Sequence, residues 1–178
     1  MKQRSMLHEW PLAEAPASSR QVELAELKEF HTPNESTLSI LLVEDDPSHA
    51  EIARRNLLRS SIIHRLIHVE DGQAALDYLK RKNRISDFAS ESRPDLILLD
   101  LNMPKMGGIE VLRRIQENSN LNRIPIVVMT TSSATVDISA AHRLGASGYL
   151  TKPVSPECFT ELLHNYPSNV TRFSIKCN

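Results

Sequence analysis

The stretch Asp95-Leu96-Ile97-Leu98-Leu99-Asp100-Leu101-Asn102-Met103-Pro104-Lys105-Met106-Gly107-Gly108 decides how the rest of the chain is read. Leu96 to Leu99 are apolar without a break, too short a run for a helix, and Pro94 precedes them. Such a run suits a strand buried on both faces of a parallel sheet. It stops at a carboxylate, Asp100, and Pro104 with Gly107-Gly108 then marks a tight loop. One acid therefore sits where a central strand leaves the core, the edge at which open parallel sheets bind ligands. On this segment alone, Asp100 serves equally well as a simple cap of the strand or loop.

Outward from this stretch the chain alternates regularly. Leu38 to Val43 reads as a first strand. Asp46 as N-cap and Pro47 in the first turn open a helix to about Arg59, with Ala50, Ala53, Leu57 and Leu58 facing inward. His64 to Val69 is a second strand, and Asp71-Gly72 turns into a helix from Gln73 to Lys82. Residues 83–93 form a polar loop, long beside the about 2–6 residues usual in such units. After the third strand come a helix over Gly108–Glu117, a strand over Ile124–Met129 and a helix over Ser133–Leu144, stopped by Gly145. A fifth strand over Ser147–Thr151 and a helix over Ser155–Tyr166, capped by Ser155, complete the series. Five strands alternating with five helices predict an α/β fold, a parallel sheet covered on both faces, in the flavodoxin-like order 2-1-3-4-5.

We divide the chain into an N-terminal extension, 1–36, a domain over 37–166 and a tail over 167–178. The extension is broken by Pro11, Pro16 and Pro33 and reads as mostly loosely ordered, with a short helix over 20–30. The tail alternates apolar and polar residues as a short strand would. A net charge of -1 gives no reason to expect nucleic acid or an anionic membrane as partner. No apolar run reaches membrane-spanning length and the first residues lack a signal peptide's apolar block, so the expected location is the cytoplasm. Cys158 and Cys177 are too few for a disulfide framework and fit no zinc spacing; they read as a buried thiol and a tail thiol. His64 and His68 share a strand face, a weak pointer to metal.

The predicted strand ends carry the chemistry. The first ends in Glu44-Asp45-Asp46, the third in Asp100, the fourth in Thr130-Thr131 and the fifth in Lys152-Pro153. Crowded carboxylates repel unless a cation holds them, and Mg2+ suits a site of one or two carboxylates that must also admit phosphate oxygen. A carboxylate is also a nucleophile toward phosphorus. A fixed ammonium and a hydroxyl supply the remaining charge and hydrogen bonding. Asp46 is the helix cap rather than a ligand, since Pro47 follows it, and Thr131 is a bystander.

On these motifs the chain resembles the receiver domain of two-component response regulators. The resemblance rests on Leu-Leu-Val-Glu-Asp-Asp-Pro at 41–47, Asp-Gly at 71–72, and Asp-Leu-Ile-Leu-Leu-Asp-Leu-Asn-Met-Pro at 95–104. It continues with Met-Gly-Gly at 106–108, Ile-Pro-Ile-Val-Val-Met-Thr at 124–130 and Gly-Ala-Ser-Gly-Tyr-Leu-Thr-Lys-Pro at 145–153. It implies that Asp100 is the phosphoacceptor, Glu44 and Asp45 the acidic pair, Asp45 the more direct Mg2+ ligand, and the Asn102 backbone carbonyl a further ligand. It implies that Thr130 bonds the phosphoryl group, that Lys152 pairs with it, and that Tyr149 is the aromatic switch that follows Thr130. A cis Lys152-Pro153 bond is also common in that family. The acidic pair is Glu-Asp rather than Asp-Asp, and the 83–93 loop is longer than in minimal receivers; together with Asp-Leu-Asn-Met-Pro at 100–104 and the Thr-Thr-Ser after the fourth strand, that loop makes the chain similar to small regulators that partner bacterial phytochromes.

The resemblance implies a sensor histidine kinase, such as a bacterial phytochrome, as phosphodonor. It implies a downstream protein or a His phosphotransfer protein as recipient, and a homodimer through the fourth helix, fifth strand and fifth helix. We read the chain as a stand-alone receiver, since neither the extension nor the tail is long enough for an output module, and as a signalling protein rather than an enzyme. Two rivals differ in class. A phosphatase with an Asp nucleophile needs an acid two residues on, where Asn102 stands. A receiver-like binding module that is never phosphorylated would have no use for intact Asp45, Asp100, Thr130 and Lys152.

Overall fold

The computed structural model describes residues 8–9, 37–60, 62, 64–84, 93–131 and 135–165. Its strands are β1 (His8–Glu9), β2 (Leu38–Val43), β3 (His64–Val69), β4 (Leu96–Asp100), β5 (Ile126–Thr130) and β6 (Gly148–Thr151). Its helices are α1 (Pro47–Leu58), α2 (Gly72–Arg84), α3 (Gly108–Gln116), α4 (Thr135–Arg143) and α5 (Pro156–His164). The sheet order is β1-β3-β2-β4-β5-β6. β2 to β6 run parallel to one another and are the five predicted strands in the predicted order. β1 pairs antiparallel with β3 and extends the sheet by one strand inside the region read as loosely ordered. The predicted helix over 20–30, most of the 83–93 loop and the tail over 167–178 lie outside the described residues.

The apolar runs form strands because both sheet faces are covered. Every residue of β4 and β5 is buried. One face packs Ala50, Ala53 and Leu57 of α1 and Phe159, Leu162 and Leu163 of α5 against Leu42, Leu98 and Met129. The other packs α2, α3 and Ala141 of α4 against Leu41, Val43, Ile97, Leu99 and Val128. At about 1.5–3 kcal/mol for each large apolar side chain taken out of water, these two layers outweigh any local propensity. Leu58, expected inside, is only half-buried, because Leu57 takes the inward position.

The caps fall where the sequence places them. Asp46 accepts hydrogen bonds from the amides of Ser48 (2.7 Å) and His49 (3.1 Å), with Pro47 in the first turn. Ser155 accepts from the Cys158 amide at 3.3 Å. Gly145 takes φ of +89° just beyond α4, a left-handed conformation that costs glycine little. Cys158 is buried but disulfide-bonded, which corrects its reading as a thiol; its partner lies outside the described residues. No helix among the described residues is long and apolar enough to cross a membrane.

Candidate functional site

Parallel register is what gathers the site. Val43 stands opposite Leu99, Asp100 opposite Met129, and Thr130 opposite Thr151. The residues at or just beyond the strand ends therefore share one sheet edge: Glu44 and Asp45 after β2, Asp100 ending β4, Thr130 ending β5, Lys152 after β6. Glu44, Asp100 and Thr130 are buried, and Asp45 is half-buried.

Buried carboxylates this close need a counter-charge. Lys152 supplies it, its Nζ lying 2.5 Å from Glu44 Oε2 and 2.8 Å from Asp100 Oδ2. Its side chain is only 6% exposed, so the contacts are poorly screened by solvent. The Lys152-Pro153 peptide is cis, and the Lys152 amide donates to the Thr130 carbonyl at 2.8 Å, joining two strand ends. The Asn102 amide donates to Asp100 Oδ1 at 3.1 Å, so each Asp100 oxygen has a partner.

Burial pushes the Glu44 carboxyl above its ordinary value of 4.5; Lys152 pulls it down and Asp100 pushes it up. A raised folded-state pKa contributes stability that is complete below 4.5 and is lost as pH rises through the folded value. Without metal, charged Glu44 therefore weighs against the fold at neutral pH. Glu44→Gln is expected to melt higher than the native chain at pH 7 in EDTA, with the difference vanishing toward pH 4. Melting curves across that range check this; a lower Tm for the variant at pH 7 contradicts it.

Three groups were missed in the sequence as parts of this edge. His68 is buried, and its Nε2–H donates to the Glu44 carbonyl oxygen at 2.8 Å, while the Glu44 amide donates to Val69 O at 3.1 Å. His68 thus anchors the backbone under the acids, which replaces the weak metal reading of the His64 and His68 pair. His49, in the first turn of α1, places Nδ1 3.5 Å from Glu44 Oε1. Gly108 packs against the backbone of Asp100. The His68 contact spans 24 residues, and the two nearer ones depend on how the helices start, which no sequence motif announces. Tyr149 is half-buried against the core on the same sheet face as Thr130, one step back along β6, and Thr131 is exposed.

Beyond Asp100 the loop turns through Lys105, whose φ is +66°. A non-glycine residue there costs about 1–2 kcal/mol, against about 0.4–1 kcal/mol of extra unfolded-state entropy for glycine. Lys105→Gly is therefore expected to stabilise by about 0.5–1 kcal/mol, read by urea denaturation. A loss of stability would mean that the Lys105 side chain holds the loop.

The donor set suits a hard divalent cation. One carboxylate oxygen from each of Glu44, Asp45 and Asp100 lies within 4.8 Å of the others, and oxygen is the donor such ions prefer.

Residues 40–164 match the model of the response regulator receiver domain. The response regulator Rcp1 of Synechocystis is 44% identical over 113 residues, 64% of this chain and 75% of that one. A probable methanogenesis regulatory protein, FilR2 of Methanothrix harundinacea, is 41% identical over 123 residues, 69% of this chain and 77% of that one. Among solved structures, the phosphorylated cyanobacterial phytochrome response regulator RcpA superposes with a TM-score of 0.63 at 36% identity, covering 75% of this chain and 96% of its own. The Mn2+-bound form of Rcp1 gives 0.59 at 40% identity, covering 72% and 91%. With strand order, buried acids and motif match in agreement, the chain belongs to the response regulator receiver family, whose members are signalling proteins rather than enzymes.

Proposed function

We propose that this protein is a single-domain response regulator that takes a phosphoryl group onto Asp100 from a sensor histidine kinase. The observation that carries this is the placement of buried Asp100, bonded by Asn102 and Lys152, beside Glu44 and Asp45. An Asp100 oxygen attacks phosphorus, the donor's N–P bond breaks, and the electron pair returns to the donor imidazole. Mg2+, held by Glu44, Asp45, Asp100 and the Asn102 carbonyl, would neutralise the phosphoryl oxygens. Lys152 then exchanges its contact with Asp100 for the phosphoryl oxygens, and the Thr130 hydroxyl donates to them. Movement of Thr130 frees space on the sheet face that Tyr149 shares, biasing the surface of α4, β6 and α5.

Among the relatives, RcpA is a phytochrome response regulator by name, and RtBRR and AtBRR are bacteriophytochrome response regulators, which supports a phytochrome-type kinase as donor. Downstream we place a protein partner or a His phosphotransfer protein, with dimerisation on α4, β6 and α5, in the cytoplasm and without nucleic acid.

Intact mass after incubation with Mg2+ and acetyl phosphate tests this. A phosphate-sized gain in the native protein and none in Asp100→Asn is expected. No gain in folded protein with confirmed metal binding, and none with a phosphorylated kinase either, would leave a receiver-like binding module as the better reading.

A further inference from the structure

β3 would be the free edge of the sheet were it not for His8–Glu9. A bare edge strand exposes a row of unpaired backbone groups and invites pairing with other chains. Here His8 stands opposite His68 and Glu9 opposite Ile67. That is the end of β3 nearest the acids. His68 donates to the Glu44 carbonyl, and Val69 accepts from the Glu44 amide. The strand that receives β1 is therefore the one that holds Glu44 by two hydrogen bonds.

We infer that His8–Glu9 is an intramolecular edge strand that covers the Ile67–His68 end of β3 and, through His68 and Val69, steadies the backbone of Glu44. It is a different surface from the one assigned to the phosphorylation switch, and it does not depend on phosphorylation. Geometry favours the chain's own segment over a second copy's. β1 runs from His8 toward Glu9 as β3 runs from His68 back to Ile67, so Glu9 heads for the end of the sheet where β2 begins. Two strand spacings and three residues along the strand separate Glu9 from Leu38, roughly 14 Å. The 28 residues between them, at about 3.3–3.6 Å per residue fully extended, amount to several times this distance, so the connection closes within one chain. Tethering makes the pairing intramolecular and independent of chain concentration, unlike pairing with a second copy.

The test is residue-resolved amide hydrogen exchange on the full-length, metal-free protein. Native chain is compared with His8→Pro/Glu9→Pro, which removes two backbone donors, and with His8→Ala/Glu9→Ala, which keeps them. In the proline variant, protection over 66–69 and at the Glu44 amide is expected to fall by about tenfold, with 127–129 in β5 unchanged. The alanine variant should keep native protection. Unchanged exchange over 66–69 would overturn the proposal, and loss over 66–69 with Glu44 unaffected would overturn the coupling. Protection in the native chain that rises between 5 and 200 µM would overturn the intramolecular assignment in favour of strand exchange between copies. Loss over β5 as well would signal general unfolding, and His8→Pro alone would then decide the question by the same comparison.

Discussion

Lys152→Ala is expected to destabilise the metal-free protein by about 3–5 kcal/mol, because it removes the ammonium from a buried ion pair and leaves both partners behind. Those partners are Glu44 and Asp100, buried and held at 2.5 Å and 2.8 Å from Nζ. Glu44 already sits above its ordinary pKa with Lys152 in place. With Lys152 gone, its burial and its repulsion from Asp100 are opposed only by the weaker hydrogen bond from the Asp46 amide, and its carboxyl shifts further up. The loss should therefore be greatest at high pH and shrink as Glu44 takes up a proton. A divalent cation carries the charge that the variant lacks, so Mg2+ should recover more stability in Lys152→Ala than in the native chain. It should also bind more tightly there, having no ammonium to compete with. On the proposed mechanism, phosphorylation by acetyl phosphate should still fail, since recovered charge at the metal position would not replace the contact that Lys152 would make to the phosphoryl oxygens. Melting in EDTA and in Mg2+, at pH 5 and pH 8, checks all but the last. Equal stability of variant and native chain in EDTA at pH 8 would mean that Lys152 is not the counter-charge of the acids.

The same pair shows how far the sequence carries the argument. The Glu44-Asp45 pair, Asp100, Thr130 and Lys152 are far apart in the chain, yet each stands at the end of a predicted strand. Once these strands are ranked as parallel neighbours, their ends must meet. The five-stranded order was legible for that reason, and so were the caps at Asp46, Ser155 and Gly145, which are local chemistry. β1 was not legible: two residues, His8 and Glu9, carry no apolar alternation, and their strand character comes from the exposed edge of β3. Nor was the role of His68, whose bond to Glu44 spans 24 residues and joins a side chain to a backbone carbonyl. β5 begins at Ile126, two residues after the predicted start at Ile124, and ends at Thr130, one residue later than predicted, because pairing with Thr151 outlasts the apolar run.

Gly108→Ala is expected to damage stability and phosphorylation together, and the reason lies in Asp100's own backbone. A Cβ on Gly108 would stand 2.2 Å from the Asp100 carbonyl oxygen and 2.8 Å from Leu101 Cα. Neither is the end of a flexible side chain, so one of the two backbones must move. α3 is anchored through buried Val111, Leu112 and Ile115 and yields only at the expense of the core. β4 is anchored between β2 and β5. Overpacking of this kind typically costs about 1–3 kcal/mol. What distinguishes this position from other core glycines is where the strain falls. The Gly108 amide donates to Leu101 O at 3.0 Å, closing the loop that presents Asp100 and Asn102. Displacing it by the better part of an ångström misaligns the carboxylate with Lys152 and the metal-binding oxygens, and a 1 Å misplacement costs about a hundredfold in rate. Gly107→Ala is the matched control: its Cβ would come no nearer than 3.5 Å to the Leu101 carbonyl. Urea denaturation and the initial rate of acetyl phosphate labelling should both drop for Gly108→Ala and change little for Gly107→Ala. If Gly108→Ala lost stability but labelled at the native rate, the loop would be tolerant of the shift, and the close approach of α3 to Asp100 would be a packing feature alone.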